Sequence, residues 1–336
     1  MVDDPRARES FWHAHNAHAP RRSVMDTVGV QMTPAFDLGP VPKRITVETE
    51  QVRRLVSEQL PQWADLPVRP VSDGGWDNWT FHLGTDMVVR MPSAAEYAEA
   101  VDKERRWLPT LASHLPLPVP VALAHGVPGA GYPFDWSVYQ WLEGQTFSVA
   151  PPADLIEFAV DLADFVVALR AVDTAEGPQP GLHNWFRGGP LQTYDGLTRG
   201  ALAELDGHLD VRSAAELWDA VLTTPWDGTV YWFHGDLAPG NLLMREGRLA
   251  SVIDFGTCGI GDPACDLAAA WTLLTRDARQ VFRDRLAVDD ATWERSRGWA
   301  LWKTLSTCSY TYDDVAEAED FAHARRVLNG ILGDAI

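Results

Sequence analysis

His234-Gly235-Asp236-Leu237-Ala238-Pro239-Gly240-Asn241, with its sequel Val252-Ile253-Asp254-Phe255-Gly256, is the most informative part of this 336-residue chain. Asn241-Leu242-Leu243-Met244 reads as a strand, Arg245-Glu246-Gly247 as a turn and Leu249–Ile253 as the returning strand. A hairpin of this length brings Asn241 and Asp254 together at its open end. One amide oxygen and one carboxylate then converge on a point. Such a hard-oxygen pair suits magnesium, which takes few protein ligands and completes its shell with phosphate oxygens and water. Asp236 stands five residues before Asn241, across a loop containing Pro239 and Gly240. That loop can present its carboxylate beside the metal without making it a ligand. There it can orient an attacking hydroxyl and accept its proton.

Upstream of this centre the pattern is strand-rich. Val68–Val71, Trp79–Leu83 and Met87–Met91 read as strands, the last two joined by the turn Gly84-Thr85-Asp86. A helix is predicted over about 94–111, and two further strands over 121–124 and 137–141, the second running into Leu142-Glu143-Gly144. Before them, Thr46 can cap a helix whose Val52, Leu55, Val56 and Leu60 share one face. After Gly144 helices dominate. Residues 154–170 place Leu155, Phe158, Leu162, Phe165, Val166 and Leu169 on one stripe. A Gly/Pro-rich loop over 177–190 precedes helices at 197–209 and 214–222, and helices fill 264–331. Residues 1–44 lack a sustained period and read as a partly disordered extension, whose three histidines His13, His15 and His18 have no fixed geometry for a metal. The division is therefore an extension (1–44), a strand-rich lobe (45–142) and a mainly helical lobe (143–336), an α+β arrangement with a hinge at 140–144.

Asp-x-x-x-x-Asn followed by Asp-Phe-Gly resembles the catalytic and metal loops of protein kinases. The His234-Gly235-Asp236 opening and the tail Gly261-Asp262-Pro263-Ala264-Cys265-Asp266-Leu267-Ala268 look more like the aminoglycoside phosphotransferase family, which spans antibiotic kinases and choline-type metabolic kinases. The resemblance runs from about Ile45 to the C-terminus. It implies a two-lobed protein-kinase-like fold and magnesium-dependent phosphoryl transfer from ATP or GTP to a hydroxyl of a small molecule. By the same resemblance Asp236 would be the base, Asn241 and Asp254 the metal ligands, and Asp266 a brace under the catalytic loop. A kinase lobe also needs a cation on the nucleotide phosphates and a carboxylate that holds it. The only lysines are Lys43, Lys103 and Lys303, and none falls in a strand of the first lobe. Arg90, on the strand where the family usually carries lysine, takes that place, with Glu104 on the following helix as its ion-pair partner. The swap is not conservative, because a guanidinium is longer and planar. Gly74 and Gly75 would let the backbone approach phosphates. Gln140, Trp141 and Leu142, in the linker between lobes, would give backbone hydrogen bonds to the purine.

Acidic residues number 47 against 28 basic, for a net charge of −19. That disfavours nucleic acid and anionic membranes as partners and suits a cationic acceptor. Asp313, Asp314 and Glu317, near aromatic residues in the helical tail, are the candidates for binding its amines. Three cysteines at irregular spacing support neither a disulfide framework nor a zinc site and read as reduced thiols of a cytoplasmic protein. No apolar run approaches membrane-spanning length. A P-loop enzyme is excluded by the absence of Gly-x-x-x-x-Gly-Lys-Ser/Thr. Two other readings stay open: a metabolic kinase of an amino sugar or choline-like alcohol, and a kinase-like module that binds nucleotide without turnover. Oligomeric state is not legible.

Overall fold

The computed structural model of the chain describes residues 42–72, 74–311 and 318–333. Most of the expected extension, and the acceptor candidates Asp313, Asp314 and Glu317, lie outside the described residues.

The first lobe is a five-stranded antiparallel sheet of β1 (Val68–Pro70), β2 (Asn78–Leu83), β3 (Met87–Pro92), β4 (Ala122–Gly126) and β5 (Trp136–Gln140). Its order is β1-β2-β3-β5-β4. The turn between β2 and β3 falls where the sequence places it, with Leu83 opposite Met87 and Gly84 at φ +67°. Helix α1 (Thr49–Gln59) buries Val52, Leu55 and Val56 against the sheet's Phe81, Leu83, Val89, Met91, Trp136 and Val138. Burying side chains of this size contributes roughly 1.5–3 kcal/mol each. The helix starts later than the Thr46 cap predicts: Glu48 is its N-cap, without a side-chain cap bond. Tertiary contacts explain the delay. The Ile45 amide donates to the Ser93 carbonyl (2.7 Å) and Val47 is buried, so this segment is tied to the end of β3 before it can coil. Arg44, assigned to the extension by sequence, lies over the rings of Trp76 (4.3 Å) and Trp79 (4.7 Å) and belongs to the lobe.

Where β4 crosses β5, a Cβ at Gly126 would fall 1.8 Å from the Trp136 ring, itself fully buried. Gly126→Ala is therefore expected to lower stability by about 1–3 kcal/mol, the usual cost of overpacking. A denaturant titration reads this directly.

Helix α2 (Ala95–Ala112) packs on β3 and β5 and carries Lys103 and Glu104 inward. After the linker, the two-residue strand β6 (Gln145–Thr146) pairs with β8 (Leu242–Arg245), which pairs with β9 (Arg248–Val252). The linker is thereby anchored to the β8–β9 hairpin. The β8–β9 turn is Glu246-Gly247, both at positive φ (53° and 78°), a left-handed pair that matches the twist of a tight hairpin.

The second lobe is built on α3 (Leu155–Arg170), α4 (Asp195–Glu204) and α5 (Val211–Leu222). The ribbon of β7 (Tyr231–Phe233) with β10 (Gly259–Gly261) follows, then the short α6 (Ala264–Leu267) and α7 (Ala269–Leu273). Helices α8 (Arg276–Leu286), α9 (Asp290–Thr311) and α10 (Ala318–Gly333) complete it. Asp154 caps α3 by accepting from the Ile156 amide (2.7 Å), and the predicted apolar stripe is buried from Phe158 to Leu169. Helix α4 ends at Glu204, short of the expected 209, because the chain turns at Gly207 (φ +80°). Helix α9 runs through the middle of the lobe against α4, α5, α6 and α10. A buried pair, Arg295 with Asp262 (2.6 Å), ties α9 to the loop before α6. All three cysteines are buried and in no disulfide, and no described helix is long and apolar enough to cross a membrane.

Candidate active site

Strand β7 delivers His234-Gly235-Asp236 into a loop held from below. Both oxygens of Asp266 accept backbone N–H groups, from His234 and Gly235, at 2.7 Å each. Burial pushes the Asp266 carboxyl above its ordinary range, while these two amides favour its charge. The brace implied by the resemblance is thus in place. Gly235 sits at φ +85°, and a Cβ there would lie 2.7 Å from the Thr257 carbonyl, so only glycine fits. The His234 Nε2 lies 3.0 Å from the Ile253 carbonyl, and its Nδ1 accepts from the Asp236 amide (3.2 Å). Those two contacts define an Nε2–H tautomer and tie the loop to the end of β9.

The hairpin brings the predicted pair to one place. The Ile253 amide donates to the Asn241 carbonyl (2.9 Å) at the open end of β8–β9. Asp254 then adopts a left-handed conformation (φ +66°, ψ +70°), which turns its carboxylate out of the strand. The Asn241 Nδ2 donates to the carbonyl (2.9 Å) and to Oδ2 (3.0 Å) of Asp236, which turns the amide oxygen away from Asp236. An amide oxygen and a carboxylate are the hard donors a small divalent cation prefers, so the donor set fits such an ion.

Arg90 reaches this point from β3. Its Nη2 donates to Asp254 Oδ1 (2.8 Å) and its Nη1 lies 3.5 Å from Glu104 Oε1. The Tyr139 hydroxyl donates to the other oxygen of Glu104. Burial opposes the charge on Arg90, but Asp254 and Glu104 outweigh it and hold the guanidinium cationic. The predicted Arg90–Glu104 pairing is present. The bond to Asp254 was not foreseen, and the longer reach of arginine makes it possible.

Lys103 points along a different face of α2 from Glu104 and latches onto the loop after Asp254. Its Nζ donates to the carbonyls of Gly256 (2.6 Å) and His183 (3.2 Å), and burial lowers its pKa. Asp77, in the turn before β2, is a further carboxyl at the site. Desolvation first, then the charges of Asp254 and Asp236, push it up to about 8. Around Gly74 the nearest atom to a Cβ would be 3.6 Å away, and around Gly75 there is open space. In the linker, the Trp141 amide donates to the Asp86 carbonyl (2.7 Å) and its ring packs 4.6 Å from that of His82. The Trp141 N–H is thereby engaged by Asp86, and Gln140 is paired with Met87 at the end of the β3–β5 ladder.

On the far side of Asp236 a small cavity of about 20 Å³ lies between the 236–241 loop and α9. Its walls include Arg187, Thr272, Trp299, Trp302 and Lys303. Lys303 Nζ lies 2.5 Å from Asp236 Oδ1. Arg187 donates from Nε to the Gly235 carbonyl (3.1 Å) and from Nη1 to the Tyr194 hydroxyl (2.7 Å), and lies over the Trp302 ring (4.5 Å). Trp299 and Trp302 are buried in the lobe's core and line the cavity as well. Lys303 and Arg187 were missed, since neither belongs to a motif. The one signal was scarcity: of three lysines, Lys303 meets Asp236 and Lys103 meets the turn after Asp254.

Fold and site together define a small-molecule kinase of protein-kinase-like architecture. A model of the APH phosphotransferase enzyme family matches residues 67–299, and the chain belongs to that family. An aminoglycoside 3'-phosphotransferase from Escherichia coli is 27 % identical over 199 residues, covering 57 % of this chain and 69 % of that protein. Two solved structures are alike in fold. The GDP complex of aminoglycoside 2'-phosphotransferase-IIIa matches at TM-score 0.61 and 17 % identity, over 86 % of this chain and 99 % of that one. A macrolide 2'-phosphotransferase from Brachybacterium faecium matches at TM-score 0.53 and 22 % identity, over 86 % of this chain and 98 % of that one.

Proposed function

We propose that this chain transfers the terminal phosphoryl group of ATP or GTP to a hydroxyl of an aminoglycoside-type antibiotic, with Asp236 as general base. The observation that carries the reading is the placement of Asp236 between the Asn241–Asp254 donor pair and the cavity beside α9. A hydroxyl in that cavity lies within reach of the carboxylate. As its oxygen bonds to phosphorus, the bond to the diphosphate oxygen breaks and the hydroxyl proton passes to Asp236. Asn241 and Asp254 would hold magnesium, which when bound neutralises charge on the nucleotide phosphates. Solved relatives by fold include complexes with GDP, ADP and ATP, which supports a nucleotide donor in the cleft under β2 and β3.

The acceptor assignment rests on the −19 net charge and on the aminoglycoside-modifying relative. Steering by such a charge concentrates a cationic acceptor. Asp313, Asp314 and Glu317 are proposed for its amines on sequence alone. A second reading has a specific observation in its favour. The wall nearest the base is cationic, with Lys303 and Arg187, and this suits a neutral hydroxyl better than an ammonium. A macrolide, or a metabolic alcohol, would present one. A coupled ADP- and GDP-release screen over aminoglycosides, macrolides, amino sugars and choline-like alcohols separates these classes. Turnover with the first class supports the proposal, and turnover confined to uncharged acceptors replaces it by the second.

Arg90 is proposed for the nucleotide phosphates. Arg90→Ala is expected to raise the nucleotide KM by about 10–100-fold, the loss of one charge-assisted contact of roughly 1.5–3 kcal/mol. Arg90→Lys should keep most of the function, since an ammonium at this strand position can still reach the phosphates. Steady-state kinetics in varied nucleotide checks both, and an unchanged KM in Arg90→Ala contradicts the role.

A further inference from the structure

The catalytic loop Asp236-Leu237-Ala238-Pro239-Gly240-Asn241 contains no basic residue. Phosphoryl transfer nevertheless develops negative charge at the acceptor end as well as at the nucleotide end, and catalysis is largely the placing of positive charge against it. Arg90 is committed to the nucleotide side, between Glu104 and Asp254. The acceptor side draws its cations from elsewhere in the chain. Lys303 comes from α9, 67 residues away, with its ammonium 2.5 Å from Asp236 Oδ1. Arg187 lines the same cavity and is only 2 % exposed. Among the described residues its ion-pair partner is no carboxylate: it bonds a carbonyl and a hydroxyl, and its Nη2 has no hydrogen-bond partner. A buried charge so placed costs free energy unless an anion visits it.

We infer that Lys303, backed by Arg187, forms an oxyanion-binding site that receives the phosphoryl group as it lands on the acceptor, a role that rests on the kinase reading above. The geometry couples this to proton transfer. Before reaction the Asp236 carboxylate balances Lys303. When Asp236 accepts the hydroxyl proton, that ion pair loses its negative partner. The acceptor oxygen–phosphorus bond forms, the electron pair of the breaking bond leaves on the nucleoside diphosphate, and the ammonium turns its pairing to the phosphoryl oxygens. Lys303 thus serves the base in the ground state and the transferred group in the transition state. Stabilisation of that differential kind raises kcat.

The test uses the full chain and needs no identified acceptor. Calorimetry would compare the binding of Mg·ADP and Mg·GDP with the binding of the same nucleotides plus aluminium fluoride, a planar mimic of the phosphoryl group in transfer. Wild type, Lys303→Met and Lys303→Arg are compared, with thermal unfolding confirming that each is folded. Lys303→Met should leave diphosphate affinity within about twofold. It should weaken the fluoride complex about 10–100-fold, the worth of one charge-assisted hydrogen bond. Lys303→Arg should recover most of that loss, which a merely structural role for the side chain would not produce. Equal affinity of wild type and Lys303→Met for the fluoride complex overturns the inference while leaving the kinase reading intact. A folded wild type that binds neither diphosphate overturns that reading, and the inference with it.

Discussion

Asp236→Ala is expected to lower kcat by about 10²–10⁴-fold while the nucleotide KM changes little. The asymmetry follows from where the side chain sits. Its carboxylate contacts Asn241 Nδ2 and Lys303 Nζ and borders the cavity beside α9, so the loss falls on activation of the hydroxyl. Asp236→Asn is the sharper variant. It keeps the shape and the bond from Lys303 but cannot take the proton, so it should be nearly as slow as alanine. Single-turnover measurements at saturating nucleotide distinguish this loss of chemistry from a loss of binding, and near-normal turnover in either variant removes Asp236 from the role.

Asp254→Ala should be comparably severe, by a different route. Asp254 brings the one formal charge of the proposed metal pair, and it anchors Arg90 at 2.8 Å. Removing it forfeits both the cation's charge stabilisation, worth several kcal/mol, and the position of the guanidinium. A fall in kcat/KM on the order of 10³-fold is expected, with most of the magnesium dependence of nucleotide binding lost. Asn241→Ala should weaken magnesium-dependent binding less, since an amide contributes no net charge. Calorimetric titration of nucleotide with and without magnesium reads the difference. Normal binding of the magnesium–nucleotide complex by Asp254→Ala would mean the hairpin holds no metal.

These two residues are also where the sequence was most legible. Asp236, Asn241 and Asp254 lie on one loop and one hairpin, and hairpin length alone dictates that the ends meet. Arg90 and Glu104 could be paired because a strand and the next helix bring residues 14 apart together. The two-lobed pattern was readable for a similar reason: periodicity is local, and the face Val52, Leu55, Val56, Leu60 is buried as its spacing requires. Element boundaries were less so, because tertiary bonds such as Ile45 to Ser93 delayed a helix that a cap residue seemed to start.

What the sequence hid is the cavity wall. Lys303 meets Asp236 across 67 residues, Lys103 meets Gly256 across 153, and Arg187 meets Gly235 across 48. No period or motif links such partners; only the packing of α9 against the 236–241 loop and of α2 against the turn after Asp254 does. The same holds for the Trp141 amide, whose bond to Asp86 is a property of the folded linker. Composition therefore spoke only for a cation, while Lys303 and Arg187 add positive charge to the cavity wall.

The central claim is that this chain moves a phosphoryl group onto a hydroxyl with Asp236 as the base. The most direct test incubates wild type and Asp236→Asn with magnesium and terminally labelled ATP or GTP, in the presence of the aminoglycoside and macrolide panel. The label is then followed by chromatography of the small molecules. Wild type should place it on an acceptor hydroxyl as a phosphate ester, and Asp236→Asn should bind nucleotide equally well yet transfer label at least about a hundredfold more slowly. Tight nucleotide binding by both proteins, with label reaching no acceptor in either, would contradict the account and leave a kinase-like nucleotide-binding module in its place.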